Sequence, residues 1–469
     1  MADEVRVRDP VHNFISLRHL ETKLLATPLL QRLRGIRQLA MASLVYPGAL
    51  HTRFDHTLGV CHVAGLMAEQ LELNSDETEL VRLAALLHDL GHGPFSHVSE
   101  HVLERYADRS KLPASPKTAK IHELITAYLI EHDPHLGRLL SDEKRQQIVR
   151  LLSTGYGSPI LRSIVSGPLD ADKQDYLLRD SYFCGVEYGI FDIHQLHRSL
   201  IAYGDSDEKE LMINPDGVHA LEQFVLAKYY LTTNVYRHRV RLVTDQMIIR
   251  AIELGIEHDQ MDELRQIFTY DGSEQFFSRY VALDDARFLS QFDSRAKPRT
   301  KCGDLLSRLQ TRQLHKRVFS ARIGEFDEDI RPILQDISKP EKCQLRKIVE
   351  ESVAAELTRI LGRNDNPVNA LEVIVHAFDI QSVREMSRND EAAIMIARRP
   401  EPVPFDQYST LFASINEGYS EVTVEVYAPI AWDTRTERSR ILRAVAEPLR
   451  AAISTVIRNS LQEGGRHEC

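Results

Sequence analysis

Ten residues constrain this chain more than any others: His88-Asp89-Leu90-Gly91-His92-Gly93-Pro94-Phe95-Ser96-His97 holds three histidines and an aspartate at the end of an apolar run. Apolar residues recur at helical spacing over 76–90, which predicts an amphipathic helix stopped by Gly91 and Gly93-Pro94. His88 follows Val81, Ala84 and Ala85 on the apolar face, so its ring points toward a core. A buried neutral imidazole needs a partner for each ring nitrogen, and a metal ion supplies one. Asp89 is adjacent, where the helix frays and both side chains can converge on one ion. A histidine–carboxylate set suits a divalent ion such as Mg, Mn, Fe, Zn or Ni, without choosing among them. The alternative is a hydrogen-bonded core histidine, which leaves His92 and His97 unexplained.

Other clusters read less sharply. In His51-Thr52-Arg53-Phe54-Asp55-His56, His56 is either a further ligand or a first-turn surface residue behind an Asp55 cap. Arg53 suits a phosphate, which its guanidinium can grip with two charge-assisted bonds. Further on, Asp170-Ala171-Asp172-Lys173-Gln174-Asp175-Tyr176-Leu177-Leu178-Arg179-Asp180 is strongly charged. At about 100° per residue, Asp172, Lys173, Tyr176 and Asp180 fall on one helical stripe. Such a stripe can hold a metal, a phosphate and a sugar in turn. A solvated face with i,i+4 charge pairs explains the charges but not Tyr176. His122 is a candidate proton-transfer residue or a surface histidine. Lys228, Tyr236, His238, Arg239 and Arg241 form either a phosphate grip with a stacking ring or an exposed basic face.

Periodicity predicts helices over 17–40 with a break at Pro28, from Asp55 through Leu71, and near 120–131, 142–153, 158–166 and 169–183. A polar loop is expected over 106–119, and a hairpin in 199–218 turning at Asn214-Pro215-Asp216-Gly217. The segments 219–258 and 260–315 read as mostly helical. Beyond 320 the pattern changes: a helix near 340–362, strand-like EVIVHAF, AAIMIA and EVTVEVYAP, and a closing helix near 434–462. The expected fold is mainly α, with an all-helical domain over 1–315 and a smaller α+β domain over 320–469.

Composition excludes several classes. With 469 residues, 43% hydrophobic and 27% charged, the chain can bury proper cores and is not disordered, collagenous or coiled-coil. No continuous apolar run reaches the roughly 18 residues of a membrane span. Net charge is −10, which makes nucleic acid a poor main ligand while leaving room for a local basic cleft. Five scattered cysteines without a C-x-x-C pair, and an N-terminus without an apolar signal segment, fit a chain without a disulfide framework in a reducing cytoplasm.

HTRFDH, HDLGHGPFSH and DADKQDYLLRD, in this order, resemble the HD-domain phosphohydrolases. RDPVHNFI, TPLLQRLRGIRQL and VYRHRV narrow the resemblance to the branch of deoxynucleoside triphosphate triphosphohydrolases, over roughly residues 6–255. No sterile-alpha-motif domain, which the vertebrate members carry, precedes the match. The resemblance implies a helical HD core and a divalent metal held by His56, His88, Asp89 and Asp172. It implies that His92, His97 and His122 surround the reacting phosphate, with Glu100 standing where the family has a supporting Asp. Arg53, Lys173 and Lys228 would bind phosphates, Lys228 replacing an Arg. Gln38, Leu39, Tyr176 and Asp180 would surround the sugar, with Asp180 reading the 3′-hydroxyl and Tyr236 near sugar and base. Gln31 and Arg34 match an activator site, but the acidic residue that selects guanine there is Ala26 here, which puts guanine-specific activation in doubt. The implied partners are a nucleotide substrate, a nucleotide activator and further copies of the chain, as a dimer or tetramer. The rival readings are an HD enzyme for another phosphoester (a phosphomonoester, a dinucleotide or an alarmone) and a nucleotide-binding regulator without turnover.

Overall fold

The helix that leads into the histidine-rich segment runs over Ser75–Leu87, and the Asn74 side chain starts it by accepting the Asp76 and Glu77 N–H groups at 3.0 Å each. This computed structural model describes residues 5–112, 120–153, 157–204, 209–293, 300–380, 393–414 and 421–462. Residues 113–119 of the loop expected over 106–119, and Cys469, lie outside them. The architecture is mainly α, as expected. The chain forms two compact units that interleave along the sequence, instead of parting at one point near 315–320. One comprises 1–236, 266–290 and 382–418; the other comprises 237–265, 291–381 and 419–469.

In the first unit, helix Arg53–Gln70 packs against Ser75–Leu87 and Ala171–Cys184. It starts two residues earlier than expected, and its cap is Thr52. Asp55 is the third residue of the helix and reaches back to the Thr52 N–H at 2.8 Å, a capping box. Gly59 lets the helix at Ala171–Cys184 come close: a Cβ at Gly59 would lie 1.8 Å from Asp175 Oδ1. The expected helix over 17–40 breaks into His19–Leu25, Pro28–Arg32 and a short turn, and Gln38 and Arg53 then pair their backbones with His51 and Ile36.

The strands differ from expectation at three points. A hairpin, Val5–Asp9 with Asn13–Leu17, precedes the helices and carries too few alternating residues to stand out. The hairpin of Leu200–Tyr203 and Glu210–Ile213 forms, but Asn214–Gly217 is not its turn. Asn214 instead caps a short turn that leads into helix Val218–Leu231. From AAIMIA, Met395–Ile396 joins this sheet in the first unit, parallel to Ile213.

The second unit holds an antiparallel sheet with Glu421–Ala428 between Lys316–Arg322 and Ile374–Ile380. Val424 and Val426 of its central strand share a core with Val349 of helix Cys343–Ile360 and Ile453 of helix Arg435–Gln462. Cys61, Cys184 and Cys302 are buried thiols. Among the described residues no helix is long and apolar enough to cross a membrane. Ile453 is fully buried. Ile453→Ala is therefore expected to destabilise this core by about 2–5 kcal/mol, read as a lowered urea midpoint.

Candidate metal-dependent active site

Helices Arg53–Gln70 and Ala171–Cys184, and the residue ending Ser75–Leu87, bring three ligand-type side chains together. His56, His88 and Asp172 each present a ligand atom, all within 4.8 Å of one another. His56 Nε2 lies 2.8 Å from Asp172 Oδ1, and His88 Nε2 lies 3.8 Å from that oxygen. His88 Nδ1–H donates to the Ala85 carbonyl at 2.7 Å, which leaves Nε2 to face the cluster. Among the described residues that buried Nε2 has no hydrogen-bond partner, which fits a metal-ligand atom. Asp89 stands beside the three, with Oδ1 3.3 Å from His88 Nε2 and Oδ2 accepting from Arg53 Nη1 at 2.5 Å. Two imidazoles and two carboxylates fit a divalent cation and leave its identity open.

The electrostatics favour positive charge here. Burial alone would lower the His56 pKa, yet hydrogen bonds to Asp172 and Asp175 raise it to about 10. Burial opposes the Asp172 carboxylate too, but His56 brings it down to about 2. Desolvation likewise works against Asp89, and Arg53 holds it well below the usual carboxylate range.

The expected histidine group assembles one turn away. His92 and His122 stack with ring centroids 4.0 Å apart, and His97 meets His92 edge-on at 5.3 Å. Gly91 allows this, because a Cβ there would lie 2.0 Å from the His122 carbonyl. Glu100 accepts from His122 Nδ1 at 2.9 Å and from the Ile121 and His122 N–H groups. Burial, then Arg53 and His122, push His92 well below its usual pKa.

On the other side, Lys173 Nζ donates to Asp170 Oδ2 at 2.5 Å. Lys228 is pushed down to about 8 by burial and by the Lys173 charge. Asp180 Oδ2 accepts from the Tyr236 hydroxyl at 2.6 Å, and Tyr176 meets Tyr236 edge-on at 6.2 Å. Gln38 and Leu39 are buried. Gln31 and Arg34 are exposed, joined by a 3.0 Å hydrogen bond, with Arg34 lying 3.6 Å over the Phe54 ring.

A model of the HD domain matches residues 53–175, and a model of the HD associated region matches 191–447. The chain belongs to the HD-domain family. It is 34% identical over 256 residues to an uncharacterized protein, MJ1154, of Methanocaldococcus jannaschii, covering 55% of this chain and 51% of that one. It is 27% identical over 382 residues to the deoxynucleoside triphosphate triphosphohydrolase SAMHD1 of Gallus gallus, covering 73% and 61%. The chain thus spans about half to three-fifths of these relatives. A crystal structure of a phosphohydrolase from Bacteroides thetaiotaomicron shares the fold, with TM-score 0.68, 23% identity, and coverage of 91% of this chain and all of the other.

Sequence reasoning passed over the residues that support His56. Asp175 Oδ2 lies 2.7 Å from His56 Nδ1, and Oδ1 lies 2.7 Å from His12 Nε2. Arg179 donates to both oxygens of Asp175 and to Asp9. Asp175 and Arg179 are completely buried, although their i,i+4 spacing looks like a surface pair. Only their displacement from the Asp172–Asp180 stripe hints at this. His51, whose Nε2 lies 2.8 Å from Asp180 Oδ1, was likewise not singled out. Asp175→Asn is expected to weaken metal binding about 10- to 100-fold through His56, measured by equilibrium dialysis; unchanged affinity would refute this role.

Proposed function

We propose that this HD-family chain hydrolyses deoxynucleoside triphosphates to a deoxynucleoside and inorganic triphosphate. The observation that carries the reading is a juxtaposition. Beside the cluster of His56, His88 and Asp172, Arg53 bonds to Asp89, Lys173 feels the Asp172 charge and Lys228 that of Lys173, while Tyr176 and Asp180 follow along the helix that carries Asp172, with the Tyr236 hydroxyl on Asp180. These are the groups that a row of phosphates, a reacting phosphorus and a deoxyribose would call for. The relationship to SAMHD1 supports the same substrate class.

His56, His88 and Asp172, with Asp89 beside them, would hold a divalent cation, which would supply Lewis acidity and lower the pKa of a water. Arg53, Lys173 and Lys228 hold the phosphates and offset charge that builds on them. As a water oxygen bonds to the α-phosphorus and loses a proton, the bond from phosphorus to the 5′-oxygen breaks and that oxygen takes a proton. His122, oriented by Glu100, is placed beside His92 to donate it, and His97 borders the same space. Asp180 accepts from the sugar hydroxyl, and Gln38 and Leu39 close the sugar side. Gln31 and Arg34 form an outer nucleotide site without guanine selection, since Ala26 supplies no acidic group.

The reading is tested by incubating the protein with each dNTP, singly and mixed, with Mg²⁺ or Mn²⁺, and separating products by ion exchange. Deoxynucleoside plus triphosphate is the expected result; monophosphate or diphosphate products would overturn the bond assignment. His88→Ala and Asp172→Ala should each lower kcat by about tenfold or more, and a variant above a tenth of the parent rate would refute the ligand set. The depressed Lys228 pKa gives a pH test. Its ammonium is present below about pH 8 and is lost as pH rises through that value. KM for the nucleotide should rise on that limb, and Lys228→Arg, always charged, should flatten it.

A further inference from the structure

Four residues and one remote carboxylate form a chain of hydrogen bonds that ends at the metal cluster. Phe95 and Ser96 both have positive φ, 61° and 55°, although neither is glycine. Such residues are strained and persist only where their surroundings hold them. The holder is Asp285, which begins helix Asp285–Phe292 and is buried. Its Oδ1 accepts the Phe95 N–H at 2.8 Å, and its Oδ2 accepts the Arg37 N–H at 3.1 Å. The turn thus fixed aims Ser96: its hydroxyl donates to the Arg37 carbonyl at 2.7 Å and accepts from Arg53 Nε at 2.8 Å. Arg53 in turn reaches Asp89 through Nη1, while its buried Nη2 has no partner among the described residues. Arg32 ties the neighbouring chain to the same place, donating to the Leu283 carbonyl at 3.0 Å and to that of Leu90 at 3.4 Å.

We propose that Asp285 is a positioning residue for the phosphate-binding Arg53, acting through the left-handed Phe95–Ser96 turn and the Ser96 hydroxyl. The proposal rests on the reading of Arg53 as a phosphate grip, and it does not depend on which phosphoester is cleaved. Asp285 touches no ligand itself. What it decides is whether the guanidinium keeps one face on Asp89 and offers the other to an anion.

The Asp285 carboxylate is costly to bury, although the Phe95 and Arg37 N–H groups offset part of that cost. Burial pushes its pKa up to about 6, from an ordinary value near 3.8. A folded-state value above the unfolded one means the ionised form is disfavoured on folding, so at neutral pH a neutral isostere removes a cost. Asp285→Asn is therefore expected to fold, while its amide can accept only one of the two N–H groups and turns an N–H donor toward the other.

The test is a double-mutant cycle on binding of inorganic tripolyphosphate to the metal-loaded protein, followed by calorimetry, with Asp285→Asn, Arg53→Ala and the double variant. Asp285→Asn should weaken binding about tenfold in the parent and less than about twofold once Arg53 is gone. Its urea midpoint and metal content should match those of the parent. Additive losses, or a loss matched by lower stability, would overturn the proposal, because a merely structural residue gives that pattern. Parent binding that does not depend on Arg53 would overturn it as well. Arg53-dependent coupling in a protein that turns over no dNTP would uphold the proposal and defeat only the substrate reading. Ser96→Ala is the second variant: it deletes the hydroxyl alone and should show the same non-additivity with Arg53→Ala.

Discussion

The Asp175 carboxylate is the interaction on which the site rests. Its two oxygens serve four donors: His56, His12 and two nitrogens of Arg179. A carboxylate and a guanidinium with no exposure are costly to desolvate, and they pay for themselves only when each lone pair and N–H is used. Here they nearly are, since Arg179 also donates to Asp9, whose other oxygen caps the Val11 and His12 backbone. One buried charge pair thus locks three elements: the N-terminal hairpin, helix Arg53–Gln70 and helix Ala171–Cys184. The His56 ring is oriented by that lock, with its Nδ1 on Asp175 and its Nε2 turned to Asp172. Removal of the hairpin would take His12 from Asp175 and Asp9 from Arg179, and so loosen the support behind His56.

How far this was legible in the sequence depends on the range of the interaction. The helix ahead of His88 follows from apolar spacing and a stop signal, both local. The stripe of Asp172, Lys173, Tyr176 and Asp180 is local too, because one helix carries it. The start of helix Arg53–Gln70 was misplaced by two residues because Asp55 has the character of a cap while acting as the third residue of a capping box. Helix 17–40 fragmented because tertiary pairing of Gln38 and Arg53 with His51 and Ile36 outweighed periodicity. The N-terminal hairpin was missed because five-residue strands with exposed positions carry little alternation.

The residues that sequence reasoning left out share one property: their partners are far away along the chain. Asp175 meets His12, Asp285 meets Phe95, and His51 meets Asp180. Nothing within a turn or a strand of any of them signals the contact. The interleaving of the two compact units has the same origin. Met395–Ile396 alternates like its neighbours in the C-terminal region but pairs with Ile213, since a two-residue strand takes its sheet from the edge available. The order of motifs can name a family without revealing these contacts, because a motif lists what must be present and not what holds it.

The distribution of strain follows from this division of labour. Residues that would touch phosphate or metal carry buried polar atoms without partners among the described residues: Arg53 Nη2, His88 Nε2, His92 Nδ1 and Gln38 Oε1. Each costs about 1–3 kcal/mol in the folded state. Three carboxylates behind them are the opposite, with both oxygens engaged: Asp175 by three partners, Glu100 by His122 and two backbone N–H groups, Asp285 by two. A side chain left unsatisfied at its working end holds its direction only if its other end is fixed, for otherwise it would rotate to find a bond. His88 shows the rule at its smallest scale, with Nδ1 tied to Ala85 and Nε2 left to face the cluster. Arg53 shows it at its largest, with Nε tied through Ser96 to a turn that an aspartate 190 residues downstream keeps in the left-handed region.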